Sequence, residues 1–324
     1  MNLDTIQALP ESPEPQTYQA SATRINDIIH TKLDVNFDWS KQYMFGKATI
    51  TVKPYFYPVT ALELDARGME LKEVSLASIA YVKTGMDKMK DPSGAYEATI
   101  GRAIVKTALK YKYENDVITI ELDREYKNTE EYMIFIDYIS KPNELKKGGG
   151  SAAITDDKGL YFINPDGKEK DKPMEIWTQG ETQASSVWFP TIDRPNERMT
   201  QEIYMTVDKK YATLSNGELC SSSDNGDDTR TDYWKMELPH APYLAMMAVG
   251  EFAIVKDKWR GKEVSYYLEK EYEQYAKAIF GNTPEMLEFY SNKLGVEYPW
   301  NKYAQIVARD YVSGAMDNTT ATLH

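Results

Sequence analysis

Three histidines, one cysteine and two short serine runs are the residues of this chain whose types suit hydrolytic chemistry, and their spacing decides against it. His30, His240 and His324 lie far apart, with no two of them four residues apart. A two-histidine helical zinc motif therefore has no place within the chain. Cys220 is alone, which rules out an intrachain disulfide and a thiolate-rich metal site. Ser185-Ser186 and Ser221 to Ser223 have no histidine nearby to serve as base, so a serine-hydrolase arrangement has no support. No metal is expected in this stretch. The remaining candidates are carboxylates. On residue types alone, Gln179 and Glu181 read as an exposed polar loop, Gly314 and Met316 as turn and core, and Asp317-Asn318 as a turn cap. His240, in a proline-flanked turn, reads as structural, and Cys220 as an ordinary thiol rather than a nucleophile.

These residues must be carried by elements, and the dominant signal is a period of two. Leu33, Val35 and Phe37 alternate with Lys32, Asp34, Asn36 and Asp38, as in a strand with one buried face. Ala48, Ile50 and Val52 repeat the pattern, and Leu62 with Leu64, Val117 to Leu122 and Tyr132 to Tyr138 follow. Gln201 to Val207 and Tyr243 to Val249 continue it, with turn residues between the runs at β-sandwich intervals. Residues 1 to about 20 are rich in Pro, Glu, Ser and Gln and read as a flexible tail. Lys146 to Gly150 reads as a flexible loop and Pro165-Asp-Gly167 as a turn.

The pattern changes near Lys262. Glu271 to Phe280 reads as a helix, and a second starts with Thr283 as N-cap and Pro284 at the first helical position, with Gly295 beyond its end. Met286, Phe289, Tyr290 and Leu294 form its apolar stripe, and Ala304 to Ala308 is a short strand. The expected division is a β domain over 21–262 and a second, α+β region over 263–324. That second region is too short to hide Met286, Phe289, Leu294 and Ile306, and its Thr319 to Leu323 end reads as an unpaired strand edge. Either disorder there or self-association through this surface is the expectation.

Composition narrows the partners. The chain has 38 basic and 50 acidic residues, a net charge of −12, which repels phosphate backbones and anionic lipid heads, so no nucleic acid is expected. No apolar stretch approaches the roughly 20 residues of a membrane span. Residues 1–10 lack the basic and apolar regions of an export signal. The compartment stays open between cytoplasm and a periplasm reached with a signal since removed.

Gly314-Ala-Met-Asp-Asn318 closely resembles the Gly-Ala-Met-Glu-Asn segment of the aminopeptidase N-type zinc exopeptidases, the gluzincin aminopeptidases. Other segments resemble the family in order: Gly46 to Val52, Leu62 to Asp65, Gly159-Leu-Tyr161, Thr178 to Thr182 with Trp188 to Pro195, Pro239 to Leu244 with Val249 to Phe252, and Tyr298-Pro-Trp-Asn-Lys302. The resemblance covers roughly residues 25 to 324. It implies a mainly β fold: a saddle-like antiparallel β-sandwich N-terminal domain followed by the α+β start of a thermolysin-like domain. It implies peptide substrates with a free N-terminus, whose α-ammonium is clamped by Glu181 and Asp317. Gln179 and Met316 would line the pocket for the first side chain, and the backbone at Gly314 and Ala315 would bind the substrate main chain. Asp317 departs from the family's Glu and draws the carboxylate back by roughly 1.5 Å, one carbon–carbon bond.

In that family the loop lies shortly upstream of an H-E-x-x-H zinc helix, and the chain stops at His324. The resemblance therefore implies the front part of a longer zinc aminopeptidase, inactive by itself. The metal ligands, general base and oxyanion-stabilising tyrosine would all lie beyond His324. The alternative is a non-catalytic peptide- or protein-binding β module related to the family.

Overall fold

The computed structural model describes residues 20–90, 96–145 and 154–324. The proposed tail and the Lys146 to Gly150 loop lie outside them, apart from Ala20.

The fold is mainly β. Alternation builds the first hairpin: β1 (Asn26–Asp38) and β2 (Tyr43–Pro54) pair antiparallel with Leu33 opposite Ala48. Leu33, Val35, Ala48, Ile50 and Val52 face the core. β3 (Val59–Asp65) leaves this sheet for a small one with β6 (Tyr111–Glu114) and β7 (Val117–Tyr126). β4 (Met69–Lys90) and β5 (Tyr96–Ala108) form a long hairpin, and β8 (Tyr132–Ser140) inserts between β2 and β4. On the other side β11 (Met199–Asp208) pairs with β1 in parallel, followed by β14 (Thr229–His240) and β13 (Glu218–Asp224). The eight-stranded sheet runs β13-β14-β11-β1-β2-β8-β4-β5. One parallel pair thus interrupts an otherwise antiparallel sheet. Cys220 sits exposed on β13.

A second, buried sheet positions the site. It contains β9 (Leu160–Ile163), β10 (Glu175–Thr178), β12 (Ala212–Ser215) and β15 (Met247–Gly250), in the order β12-β15-β10-β9. The strand expected from Tyr243 starts only at Met247, because Pro242–Leu244 forms a 3₁₀ turn. The expected turn at Pro165 to Gly167 is present, closed by Gly167 N–H donating to Asn164 O at 3.0 Å.

The last sheet holds β16 (Phe252–Trp259), β17 (Lys262–Glu269), β18 (Lys302–Ile306) and β19 (Ala321–Leu323), in that order, with β17-β18-β19 parallel. The composition break at Lys262 falls at the turn of the β16–β17 hairpin, where Trp259 pairs with Lys262. A boundary there separates two strands of one sheet. One core cluster runs from Ile28 and Leu33 through Trp177 and Val249 to Ile306, Ala321 and Leu323.

The helical region differs from expectation in three respects. Lys270–Tyr275 is a 3₁₀ turn that leads into a single α turn, α1 (Ala276–Phe280), rather than one continuous helix. In α2 (Thr283–Leu294) the cap position belongs to Asn282, and the Thr283 hydroxyl bonds Phe280 O and Gln305 Oε1, both at 2.7 Å. A residue that turns its hydroxyl to carbonyl and amide acceptors cannot cap the first N–H groups. Finally, Ile306 is fully buried, and the Thr319 to Leu323 end is not an unpaired edge. β19 pairs with β18 on one side, and Leu323 exchanges two backbone hydrogen bonds with Met316 on the other. Gly295 ends α2 in the left-handed conformation, as its position suggests. Met286, Phe289, Tyr290 and Leu294 remain 55–71% exposed.

Candidate functional site

Two loops, far apart in sequence, meet at the end of the buried sheet. The first leaves β10 through Gln179-Gly-Glu181. Gln179 N–H donates to Gly159 O at 3.0 Å, and Ala184 N–H returns to Gly180 O at 2.8 Å. A side chain at Gly180 would sit 2.5 Å from both Ser185 Oγ and Tyr243 O, so this tight passage between two polar loci demands glycine. Ser185–Val187 then forms a buried 3₁₀ turn, tied to β8 by Tyr138 Oη donating to Trp188 O and Ser140 Oγ to Val187 O.

The second loop leaves β18, passes Arg309 and Tyr311, and returns at Asp317 into β19. Its near end is held by the buried sheet: Arg309 N–H donates to Glu175 Oε2 at 2.8 Å, and Trp177 Nε1–H donates to Arg309 O at 3.1 Å. The Arg309 guanidinium grips Glu269 with two bonds of 2.8 Å, and Lys172 holds Asp310 at 2.6 Å.

Tyr311 joins the loops. Its ring packs edge-on against Trp177, and its hydroxyl donates to Gln179 Oε1 at 2.5 Å. Burial, and then the negative charges of Glu181 and Asp317, push the Tyr311 hydroxyl well above its ordinary pKa. Neither carboxylate has a hydrogen-bond or ion-pair partner for its side chain among the described residues. Glu181 also borders a cleft of about 400 Å³ that includes Asp65, Arg67, Asp116, Asp157 and Asp193. Arg67 is occupied there by Asp157, at 2.9 Å, and by Gln183 O. An unpartnered carboxylate at a cleft lined by four aspartates, against Arg67 and Arg194, favours a cation, and a compact ammonium with three donors suits it.

The other sequence-derived residues divide. Gln179 is buried, and its Oε1 accepts from the Tyr311 hydroxyl. Gly314 and Ala315 are exposed, and a Cβ on Gly314 would meet nothing within 4 Å. The protein's own packing thus leaves the Gly314 face free. Met316, expected along the pocket for a first side chain, is 3% exposed and belongs to the main core. Tyr311 was not among the candidates from sequence, because nothing but its place three residues before Gly314 marks it.

Glu175 gives this anchor a pH dependence. Burial, with help from Glu269, pushes its carboxyl up to about 7 against the opposing Arg309 N–H bond. An acid with a raised folded-state pKa keeps its proton on folding between its ordinary value of 4.5 and about 7. Its contribution to stability therefore falls as pH rises through that window, and the full penalty applies above it. Glu175→Gln, which mimics the protonated form, is expected to raise stability at pH 8 by about 2 kcal/mol and to matter far less near pH 4.5. Thermal unfolding of both proteins at the two pH values measures this.

The sequence profile of the peptidase M1 N-terminal domain matches residues 14–244. The chain belongs to this family. Among similar proteins, "Transcription initiation factor TFIID subunit 2" of Danio rerio is 21% identical over 313 residues, covering 91% of this chain and 24% of that protein. Glutamyl aminopeptidase of Homo sapiens is 30% identical over 132 residues, covering 40% of this chain and 14% of that protein. The chain spans about a quarter or less of the length of these curated relatives. The three histidines are held by neighbouring side chains. His240 is fully buried, with Nε2 at 3.1 Å from Gln201 Oε1, and burial lowers its pKa to about 4. His30 lies beside Thr200 and Glu202, and His324 packs near Phe280. Among the described residues no three His, Cys, Asp or Glu side chains are grouped to hold a metal ion. The donors present do not fit a zinc site.

Proposed function

We propose that this chain is the substrate-recognition part of a zinc aminopeptidase, in which Glu181 and Asp317 hold the α-ammonium of a peptide with a free N-terminus. The observation that carries the reading is the bond that joins the two loops: the Tyr311 hydroxyl, on the loop of Asp317, donates to Gln179 Oε1, two residues before Glu181, and neither carboxylate has a side-chain partner among the described residues. Holding a terminal cation between two carboxylates measures one residue from the chain end, which sets which peptide bond is presented. The exposed Gly314-Ala315 backbone supplies a free edge for the substrate main chain. Asp317, shorter than glutamate, leaves more room for the amino end.

Zinc belongs to this proposal only for a longer protein. The described residues offer no donor set, so no step is derived through the metal, and residues 1–324 alone are expected to turn over no aminoacyl substrate. A second reading, a non-catalytic binding module, is favoured by the similarity to the TFIID subunit over 91% of the chain. Binding of a short peptide with a free N-terminus, against the same peptide N-acetylated, tests the clamp. Loss of binding on acetylation supports it, and equal binding overturns it. Aminoacyl-anilide hydrolysis by the full-length protein then separates enzyme from module.

The exposed face of α2 is the proposed route of self-association. Met286, Tyr290, Leu294 and Val296 border an apolar groove of about 370 Å³, and Phe289 stands exposed beside it. Residues 1–324 are expected to scatter light above the monomer mass of 37.1 kDa, and Phe289→Glu to return them to monomer. A strictly monomeric parent protein would refute this.

A further inference from the structure

The turn between β12 and β13 is buried where an ordinary hairpin turn would be wet, and it holds the far end of the Asp317 loop. Asn216 is 2% exposed. Its Oδ1 accepts from Met246 N–H at 2.7 Å, and its Nδ2 donates to Leu244 O at 2.9 Å and to Thr319 O at 2.6 Å. Every bond of this side chain goes to backbone, and the Thr319 bond reaches the residue two places after Asp317. Gly217 N–H donates to Thr320 Oγ1 at 2.8 Å. Gly217 itself has φ +74°, and a Cβ there would lie 1.8 Å from Lys235 O, so the turn admits only glycine at that place.

Lys302 completes the arrangement from the opposite side. It is buried against the Trp234 ring at 4.7 Å, and its ammonium donates to Ser215 O at 2.6 Å and approaches Thr320 Oγ1 at 3.5 Å. Burial lowers its pKa to about 7, against the raising influence of Glu263 and Glu218. Thr320 has φ +67°, a costly conformation for a β-branched residue that persists only where surroundings enforce it. Its hydroxyl is caught between Gly217 N–H and Lys302, and its carbonyl accepts from Ala304 N–H at 2.8 Å, so both ends of the residue are held. Asp310 at the near end is also left-handed, with φ +56°, and is held by Lys172. The loop that carries Asp317 is thus pinned at both ends.

We propose that Asn216 and Lys302 are positioning residues for substrate recognition: by fixing Thr319 and Thr320 they set the placement of the Asp317 carboxylate relative to Glu181, without touching the substrate. This rests on the ammonium-clamp reading above. A displaced carboxylate weakens a charge-assisted bond steeply, because distance and angle both degrade.

The test uses the full-length protein, with a peptide carrying a free N-terminus as probe and calorimetric affinity as readout. Asn216→Asp keeps the Met246 bond and turns the two donations into repulsions. Thr320→Gly suits the left-handed backbone and removes the hydroxyl, so it folds even if the first variant does not. Each is expected to weaken affinity roughly ten- to a hundredfold. In an Asp317→Ala background the same changes are expected to add nothing, a coupling that a purely stabilising role does not produce. If Asp317→Ala weakens binding but Thr320→Gly leaves affinity unchanged, or the effects simply add, the positioning role is overturned and the clamp stands. If Asp317→Ala itself leaves binding unchanged, the clamp fails and the positioning role falls with it.

Discussion

Glu181→Ala in the full-length protein is expected to lower kcat/KM for aminoacyl-anilides by about 30-fold to a few thousandfold, the equivalent of about 2–5 kcal/mol for a partly desolvated charge pair that loses one partner. The loss arises because the substrate ammonium keeps its desolvation cost and loses a carboxylate. Glu181 makes no side-chain hydrogen bond or ion pair among the described residues and is exposed, so the change should leave thermal unfolding nearly untouched. That separation is the signature of a binding group. An activity within twofold of the parent would refute the assignment. Asp317→Glu is the companion: it advances the carboxylate by roughly 1.5 Å and should change KM or residue preference more than kcat.

A large stability effect is expected at Gly159→Ala. Gly159 has φ +70°, and a Cβ there would meet Ala184 O at 2.1 Å and Val187 Cβ at 2.9 Å. The left-handed backbone costs an L-residue about 1–2 kcal/mol, and forced overpacking about 1–3 kcal/mol more. Together these should lower Tm by roughly 3–7 °C. Because Gly159 O accepts from Gln179 N–H at 3.0 Å, displacement there should also misplace Glu181 and reduce activity. Gly314→Ala is the control, since a methyl group there meets nothing within 4 Å. It should leave Tm unchanged while weakening binding if substrate backbone lies against that face. A stable, fully active Gly159→Ala protein would show that the Gln179 to Ala184 segment is not held as described.

What the sequence reveals of this fold depends on how many faces of a strand are buried. β1 and β2 alternate cleanly because one face packs and the other meets water: Leu33 and Val35 are buried while Asp34 is not. β9, β10 and β15 are buried along their whole length of four residues. A short, continuously buried run carries no period, so β9 and β10 were invisible and β15 was placed with an early start. β5 fails for the opposite reason, with Ile104 and Val105 exposed on a sheet edge. Glu181, Asp317 and the Gly314 loop enter the candidate site through resemblance alone. Tyr311, Asn216 and Lys302 were not legible as partners of that site. Their roles consist of contacts such as Tyr311 to Gln179 and Asn216 to Thr319, which link positions that no local pattern connects. Met316 shows the converse: a motif residue whose side chain the core claims.

The placement of β15 has a practical consequence. The profile match ends at residue 244, yet β15 begins at Met247 and lies between β12 and β10, bonded to both. The segment that the family profile matches and the folded sheet therefore have different ends in this chain. A piece cut at 244 would keep the two outer members of a ladder and discard the rung between them. It would bare the facing backbone of β10 and β12 and invite any passing extended segment to fill the gap. A piece cut to the profile match alone is expected to aggregate, and its failure would say nothing about the protein's chemistry.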